Sequence, residues 1–153
     1  MRNIFRFQAK GMKRSLISLG AAVMAVGGAN LALAPSAFAG GYGCSGSLVH
    51  TQNLLVSGKV WSTGYIYYST ANGGTNCIVL VAKKYAGAPH YMYVSLSVDG
   101  RSGTKKDEGR FSSYAGPVTQ TNTNGHCVSS TLWENSPNDE IQAGWPIDHV
   151  ACG

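Results

Sequence analysis

The sequence predicts an all-β mature domain: a small antiparallel sandwich or barrel of about seven strands, stapled by two disulfides, following a cleaved signal peptide. Three observations predict it. Short runs rich in Val, Ile, Tyr and Thr are cut by Gly and Asn clusters, and no segment sustains a helical period. The four cysteines Cys44, Cys77, Cys127 and Cys152 all fall after residue 39, an even number in an exported chain. The N-terminus has the three-part layout of an export signal.

The leader carries Arg2, Arg6, Lys10, Lys13 and Arg14 without an acid. An uncharged, mostly apolar stretch follows from Leu16 to about Leu33, and Ala37-Phe38-Ala39 puts small residues at the two positions a signal peptidase reads. Cleavage after Ala39 leaves residues 1–39 as signal and residues 40–153 as one mature domain. Met12 is an alternative start, since Met12 to Ala39 already has the length of a signal. The several Gly and Ala and Asn30 make the stretch a poor permanent span. Lys13-Arg14 is a weak substitute for an Arg pair, and Gly41-Tyr42-Gly43 before Cys44 does not suit lipid attachment, so general secretion is expected.

The net charge of the whole chain is +5, which the five leader cations supply in full. The mature part balances seven cations against seven acids, which removes the usual electrostatic case for nucleic acid or an acidic membrane surface.

Four cysteines allow three pairings. Cys77–Cys127 with Cys44–Cys152 is the favoured set, the second bond tying the two ends of the mature chain. Each would close a long loop, worth about 4 kcal/mol in the chain-entropy model. The absence of a C-x-x-C and the wide spacings match no zinc pattern, so no metal is expected.

Along the mature chain, Leu48 to Val56 and Lys59 to Trp61 read as first strands. Tyr65 to Thr70 leads into Ala71-Asn72-Gly73-Gly74, a turn whose Asn and Gly accept positive φ. Thr75 to Lys83 is apolar on both faces, with Ile78 and Leu80 on one and Cys77, Val79 and Val81 on the other, as a central strand would be. His90 to Val98 alternates: Met92, Val94, Leu96 and Val98 face a core, while Tyr91, Tyr93, Ser95 and Ser97 face a wetter side. Asp99 to Arg110 reads as a charged hairpin tip with the next strand beginning near Arg110-Phe111. Val118 to Thr121 and His126 to Trp133 are further strands. The tail, with Pro137, Gly144 and Pro146, reads as loop with one short strand near Ile141.

Catalytic constellations are hard to find. Gly43-Cys44-Ser45-Gly46-Ser47 only superficially resembles a nucleophile elbow. His50, His90, His126 and His149 form no ligand pair at i,i+2 or i,i+4, and the acids cluster in turn-flanking stretches. Neither a catalytic residue nor a cofactor is expected. The aromatic content is more telling: the mature chain holds eight Tyr and three Trp against one Phe. Tyr and Trp suit half-exposed positions. Tyr65 and Tyr67 on one strand and Tyr91 and Tyr93 on another are candidate ligand surfaces.

One family shares this layout. The first mature cysteine follows cleavage closely in Gly43-Cys44-Ser45-Gly46. A Tyr-rich strand runs from Tyr65 through Asn76-Cys77 to Val81. Tyr114-Ala115-Gly116-Pro117-Val118 follows, then a strand at Cys127 and a terminal Cys152-Gly153. Over essentially the whole mature chain this resembles the spore-associated protein A family of streptomycetes and related actinobacteria. The resemblance implies an exported protein found with the spore surface or cell envelope, without an established enzymatic activity, and it carries across the four cysteines as disulfides and no site residues. The acidic tail around Glu134 to Glu140 and the charged hairpin tip depart from the Gly- and Tyr-rich loops of that family.

The expectation is therefore a non-enzymatic, secreted, spore- or envelope-associated protein. Its partner would be a cell-wall or spore-surface polymer or a second copy of itself, not nucleic acid or membrane. A carbohydrate-binding module using the tyrosine faces is the alternative, and a secreted hydrolase or toxin with converging His and Asp is the second alternative.

Overall fold

A computed structural model describes residues 40–153, so the expected signal peptide, residues 1–39, lies outside the described residues. Eight strands form: β1 (Ser47–Val56), β2 (Lys59–Ser69), β3 (Thr75–Ala82), β4 (His90–Val98), β5 (Lys105–Phe111), β6 (Tyr114–Thr121), β7 (Val128–Asn135) and β8 (Gln142–Val150). They make two four-stranded antiparallel sheets, β1-β2-β3-β6 and β5-β4-β7-β8. The all-β sandwich expected from the strand pattern is what the chain adopts.

Local chemistry sets the turns. Ser57 and Gly58 both take positive φ, giving the two-residue β1–β2 turn whose twist matches the flanking strands. Asn72, Gly73 and Gly74 take positive φ between β2 and β3, as their composition predicts.

The two sheets bury one core between them. Trp61 and Ile66 of β2, Ile78 and Leu80 of β3, Met92, Val94 and Leu96 of β4, and Leu132 of β7 are inaccessible to solvent or nearly so. Each large side chain of this kind contributes about 1.5–3 kcal/mol by leaving water. The predicted inward face of β4 is buried throughout, and its tyrosines are half-buried. All of β3 from Asn76 to Ala82 is buried, so both of its faces are covered as predicted.

Several strand boundaries differ from the sequence reading, most of all in three places. Lys59 to Trp61 and Tyr65 to Thr70 belong to one strand, continuous through Gly64. That glycine is needed there, because a Cβ would stand 2.8 Å from Leu132 Cδ1 across the core. Strand β5 starts at Lys105, inside the stretch read as a hairpin tip. It is an edge strand, where charge is the ordinary protection against edge-to-edge pairing. Two of its charges also close the sandwich: Asp107 Oδ2 accepts from the Gly116 N–H at 2.7 Å, and Lys105 Nζ donates to the Thr119 carbonyl at 2.9 Å. The tail forms a full strand, β8, despite Pro146, because β8 is the other edge of its sheet and an edge tolerates a missing donor.

The disulfides correct the favoured pairing. Cys44 bonds Cys77 and Cys127 bonds Cys152, instead of Cys77–Cys127 and Cys44–Cys152. The alternation of β3 explains why. Ile78 points into the core, so Cys77 points out of the β1-β2-β3-β6 sheet. Cys127 precedes β7 in the opposite sheet, and packed sheets stand about 10 Å apart, beyond the reach of a disulfide. Val128 pairs with Val150, which brings the flanking Cys127 and Cys152 together.

Candidate functional site

The two tyrosine pairs singled out from the sequence lie on opposite outer faces of the sandwich. Tyr65 and Tyr67 stand on the outside of the β1-β2-β3-β6 sheet, where the chain covers them itself. The segment before β1 crosses this face, held by Cys44–Cys77. Tyr42 stacks on Tyr65 with ring centroids 6.3 Å apart and tilts against Tyr114 at 5.3 Å. Cys44, Cys77, Val79 and Val81 are buried beneath, and Tyr65, Tyr67 and Tyr114 pack against them as a second, smaller core. Much of this aromatic surface is spent on folding.

Tyr91 and Tyr93 stand on the outer face of the β5-β4-β7-β8 sheet, where no segment among the described residues crosses them. Here the register builds a row across all four strands. Tyr93 is opposite Glu108 of β5 on one side and Trp133 of β7 on the other, and Trp133 is opposite Gly144 of β8. The indole of Trp133 lies over Gly144, and a Cβ there would come within 2.7 Å of its Cζ3. Tyr91, Tyr93, Glu108, Thr131 and Trp133 line an open cavity of about 300 Å³.

Several polar atoms of this face are fixed in place. The Tyr91 hydroxyl donates to Glu108 Oε2 at 3.1 Å, and Lys106 Nζ donates to Glu108 Oε1 at 2.6 Å while lying 5.8 Å from the centre of the Tyr93 ring. The Trp133 indole N–H donates to Asn135 Oδ1 at 2.9 Å, and Asn135 Nδ2 donates to Asp139 Oδ1 at 3.1 Å. Arg110 then holds Asp139 at 2.9 Å and the Pro137 and Pro89 carbonyls at 2.8 and 3.2 Å. The hydrogen bond from Lys106, with that from Tyr91, lowers the Glu108 carboxyl below its usual pKa. Partial burial, then the bond to Glu108, raises the Tyr91 phenol. At neutral pH the cavity therefore presents an ionised Glu108 carboxylate and a neutral Tyr91 phenol.

The histidines do not converge. His90 and Glu134 form a fully buried pair in the core, Nε2 to Oε1 2.7 Å, with His90 Nδ1 2.7 Å from the Ala88 carbonyl oxygen. His149 Nδ1 meets Asp99 Oδ2 at 2.6 Å on the surface, and the same carboxylate accepts from Ser129 at 2.7 Å. In that arrangement the acid stands between serine and histidine, so the His149 ring bonds the acid and not the hydroxyl, unlike a serine nucleophile activated by histidine. Each of these carboxylates has one histidine, and the two pairs sit in different environments. Among the described residues, no three His, Cys, Asp or Glu side chains gather as a metal would require.

Sequence reasoning picked out Tyr91 and Tyr93 but missed Trp133, Glu108, Thr131 and Gly144. The parity of β7 offered a signal: with Leu132 inward, Trp133 must face out. That it meets Tyr93 depends on the β4–β7 register, which involves strands far apart in sequence.

Compared with known proteins, the chain is 32% identical over 120 residues to Spore-associated protein A of Streptomyces coelicolor, a match that covers 72% of this chain and 76% of that protein. No family model matches, and no solved structure matches.

Proposed function

Because the chain belongs to the spore-associated protein A family, we propose that it is an exported, spore- or cell-envelope-associated protein that acts without catalysis, by adhering to an envelope polymer through the outer face of the β5-β4-β7-β8 sheet. One observation carries the reading: that face holds three aromatic side chains, Tyr91, Tyr93 and Trp133, of which Tyr91 and Trp133 have their polar tips tied down, and over which no segment of the described chain folds. Rigid amphipathic side chains of this kind lose little freedom on binding, so most of the contact energy is available as affinity. The opposite tyrosine face lacks this opportunity because Tyr42 and the Cys44–Cys77 bond occupy it.

The separate histidines argue against the hydrolase alternative, and the balanced charge of the mature chain argues against an electrostatic attachment to membrane or nucleic acid. Adhesion is tested by fractionating cells and spores that carry the chain with or without Tyr93→Ala. The native protein is expected in the wall or spore fraction and the variant in the medium. Equal release of both into the medium would sink the proposal.

A further inference from the structure

Three features of the cavity on the β5-β4-β7-β8 face specify a ligand class. Its lining is largely aromatic, it carries one carboxylate, and the nearby cations Lys106 and Arg110 are already paired with acids. We infer that this cavity binds a single pyranose ring of an uncharged, equatorially substituted polysaccharide and discriminates against polyanionic wall polymers. The inference rests on the adhesion reading above and names its ligand.

A pyranose with equatorial hydroxyls is apolar on its faces, where the axial C–H groups project, and polar around its edge. The row Tyr93–Trp133 offers a matching surface. The two side chains are directly opposite in the β4–β7 register and both line the cavity, so a bound ring can lie against the two of them. The indole is held over Gly144 and by Asn135, and it needs no rearrangement to receive a ring. At about 300 Å³ the cavity is at the small end of ligand sites, a size for one ring rather than a whole oligomer.

The edge hydroxyls of such a ring need acceptors. A carboxylate offers about four acceptor positions. Tyr91 takes one on Oε2 and Lys106 one on Oε1, which leaves capacity on both oxygens of Glu108. Thr131 adds a hydroxyl at the same cavity. Nearly all the polar recognition is thus hydrogen bonding by a fixed anion to hydroxyl donors. A phosphate- or carboxylate-bearing polymer meets the wrong charge, since Lys106 is bound to Glu108 at 2.6 Å and Arg110 is engaged with Asp139.

The test is a binding isotherm of the processed, oxidised protein on three solids: chitin, cellulose, and cell walls stripped of phosphate polymers by acid. Unstripped walls run in parallel. The expected result is saturable retention on at least one of the three solids. That retention should change less than about twofold between about 0.1 and about 1 M NaCl, where the Debye length shrinks from about 10 to about 3 Å. Trp133→Ala and Glu108→Ala should each weaken it about tenfold or more, the scale expected for a central aromatic and for a charged hydrogen bond. Trp133→Phe, which keeps a stacking ring, should retain most of it, and Leu55→Ala on the distant β1 edge should change nothing. Near-UV circular dichroism confirms that each variant is folded.

Binding that salt abolishes, or that disappears with the phosphate polymers while still depending on Trp133, would overturn the glycan assignment and leave adhesion standing. Retention indifferent to both Trp133 and Glu108, or no retention on any solid including unstripped walls, would overturn both.

Discussion

Leucine at position 90 or 134 should destabilise the fold far more than leucine at both. His90 and Glu134 are fully excluded from solvent, and their contact at 2.7 Å is the only ion-pairing partner of either among the described residues. His90 also reaches back to the Ala88 carbonyl, and the Tyr85 ring packs edge-on against it at 5.6 Å. Burial raises the Glu134 carboxyl above its usual pKa, although the Ser62 hydroxyl and His90 pull the other way. Removing one member strands the other in the core. Stranding of this kind costs about 3–5 kcal/mol, whereas replacing a buried pair by apolar residues of similar volume is often neutral or stabilising. A domain of this size has a total stability of about 5–15 kcal/mol, so each single variant loses a large share of it. His90→Leu, Glu134→Leu and the double variant should be unfolded in guanidinium with the disulfides intact, following Trp61, which is itself buried beside Tyr85. The expected outcome is two midpoints well below that of the native protein and a double variant that recovers most of the loss. Additive single costs, or single costs under about 1 kcal/mol, would refute the view that the pair is a mutually compensating inclusion in the core.

Other consequences are open to direct measurement. The folded Glu134 carboxyl has a pKa raised above 4.5, so the native state binds its proton more tightly than the unfolded chain does. That contribution is fully present below pH 4.5 and is lost as pH rises through the raised value, so stability relative to Glu134→Gln should decline over that window in denaturation curves. Glu108 is the opposite case. Its pKa is lowered from 4.5, so its contribution is present above that pH and lost as pH falls through the folded value, and Lys106→Met should move its NMR titration back toward 4.5. Replacing Cys44 and Cys77 by serine, or Cys127 and Cys152, opens loops of 33 and 25 residues, worth about 3.5 kcal/mol each in the chain-entropy model, and peptide mapping of the oxidised protein should return these two pairs alone. Gly144→Ala should tilt the Trp133 indole off its seat and weaken wall binding with little change in thermal midpoint, because β8 is an edge strand.

Sequence pattern revealed strand identity better than strand partnership. The alternation in His90 to Val98 and the doubly apolar run in β3 could be read directly, because side-chain direction along a strand depends only on local parity. The cysteine pairing could not. Loop-entropy reasoning favours long closures, but the decisive facts are that Cys77 faces away from the core and that β8 returns beside β7, both tertiary. The candidate site split in the same way. Tyr91 and Tyr93 were legible as an outward pair, while the equivalence drawn with Tyr65 and Tyr67 failed to anticipate that Tyr42 would fold over the latter. Strand β8 was obscured by Pro146, a residue that argues against a central strand but not against an edge.

The placement of the two disulfides also decides how the molecule would carry tension. A pull applied outside Cys44 and Cys152 passes from Cys44 directly to Cys77 and from Cys152 directly to Cys127. The β1–β2 and β7–β8 hairpins sit in closed loops and bear no load along their backbone. Only the 49 residues between Cys77 and Cys127 can be drawn out, to at most about 180 Å. Trp133 therefore rides on a shielded hairpin while its neighbour Tyr93 lies on the extensible segment. Sustained force on an anchored molecule would separate the two halves of the aromatic row before it disrupted either hairpin, so that detachment from a surface would precede breakage of the chain.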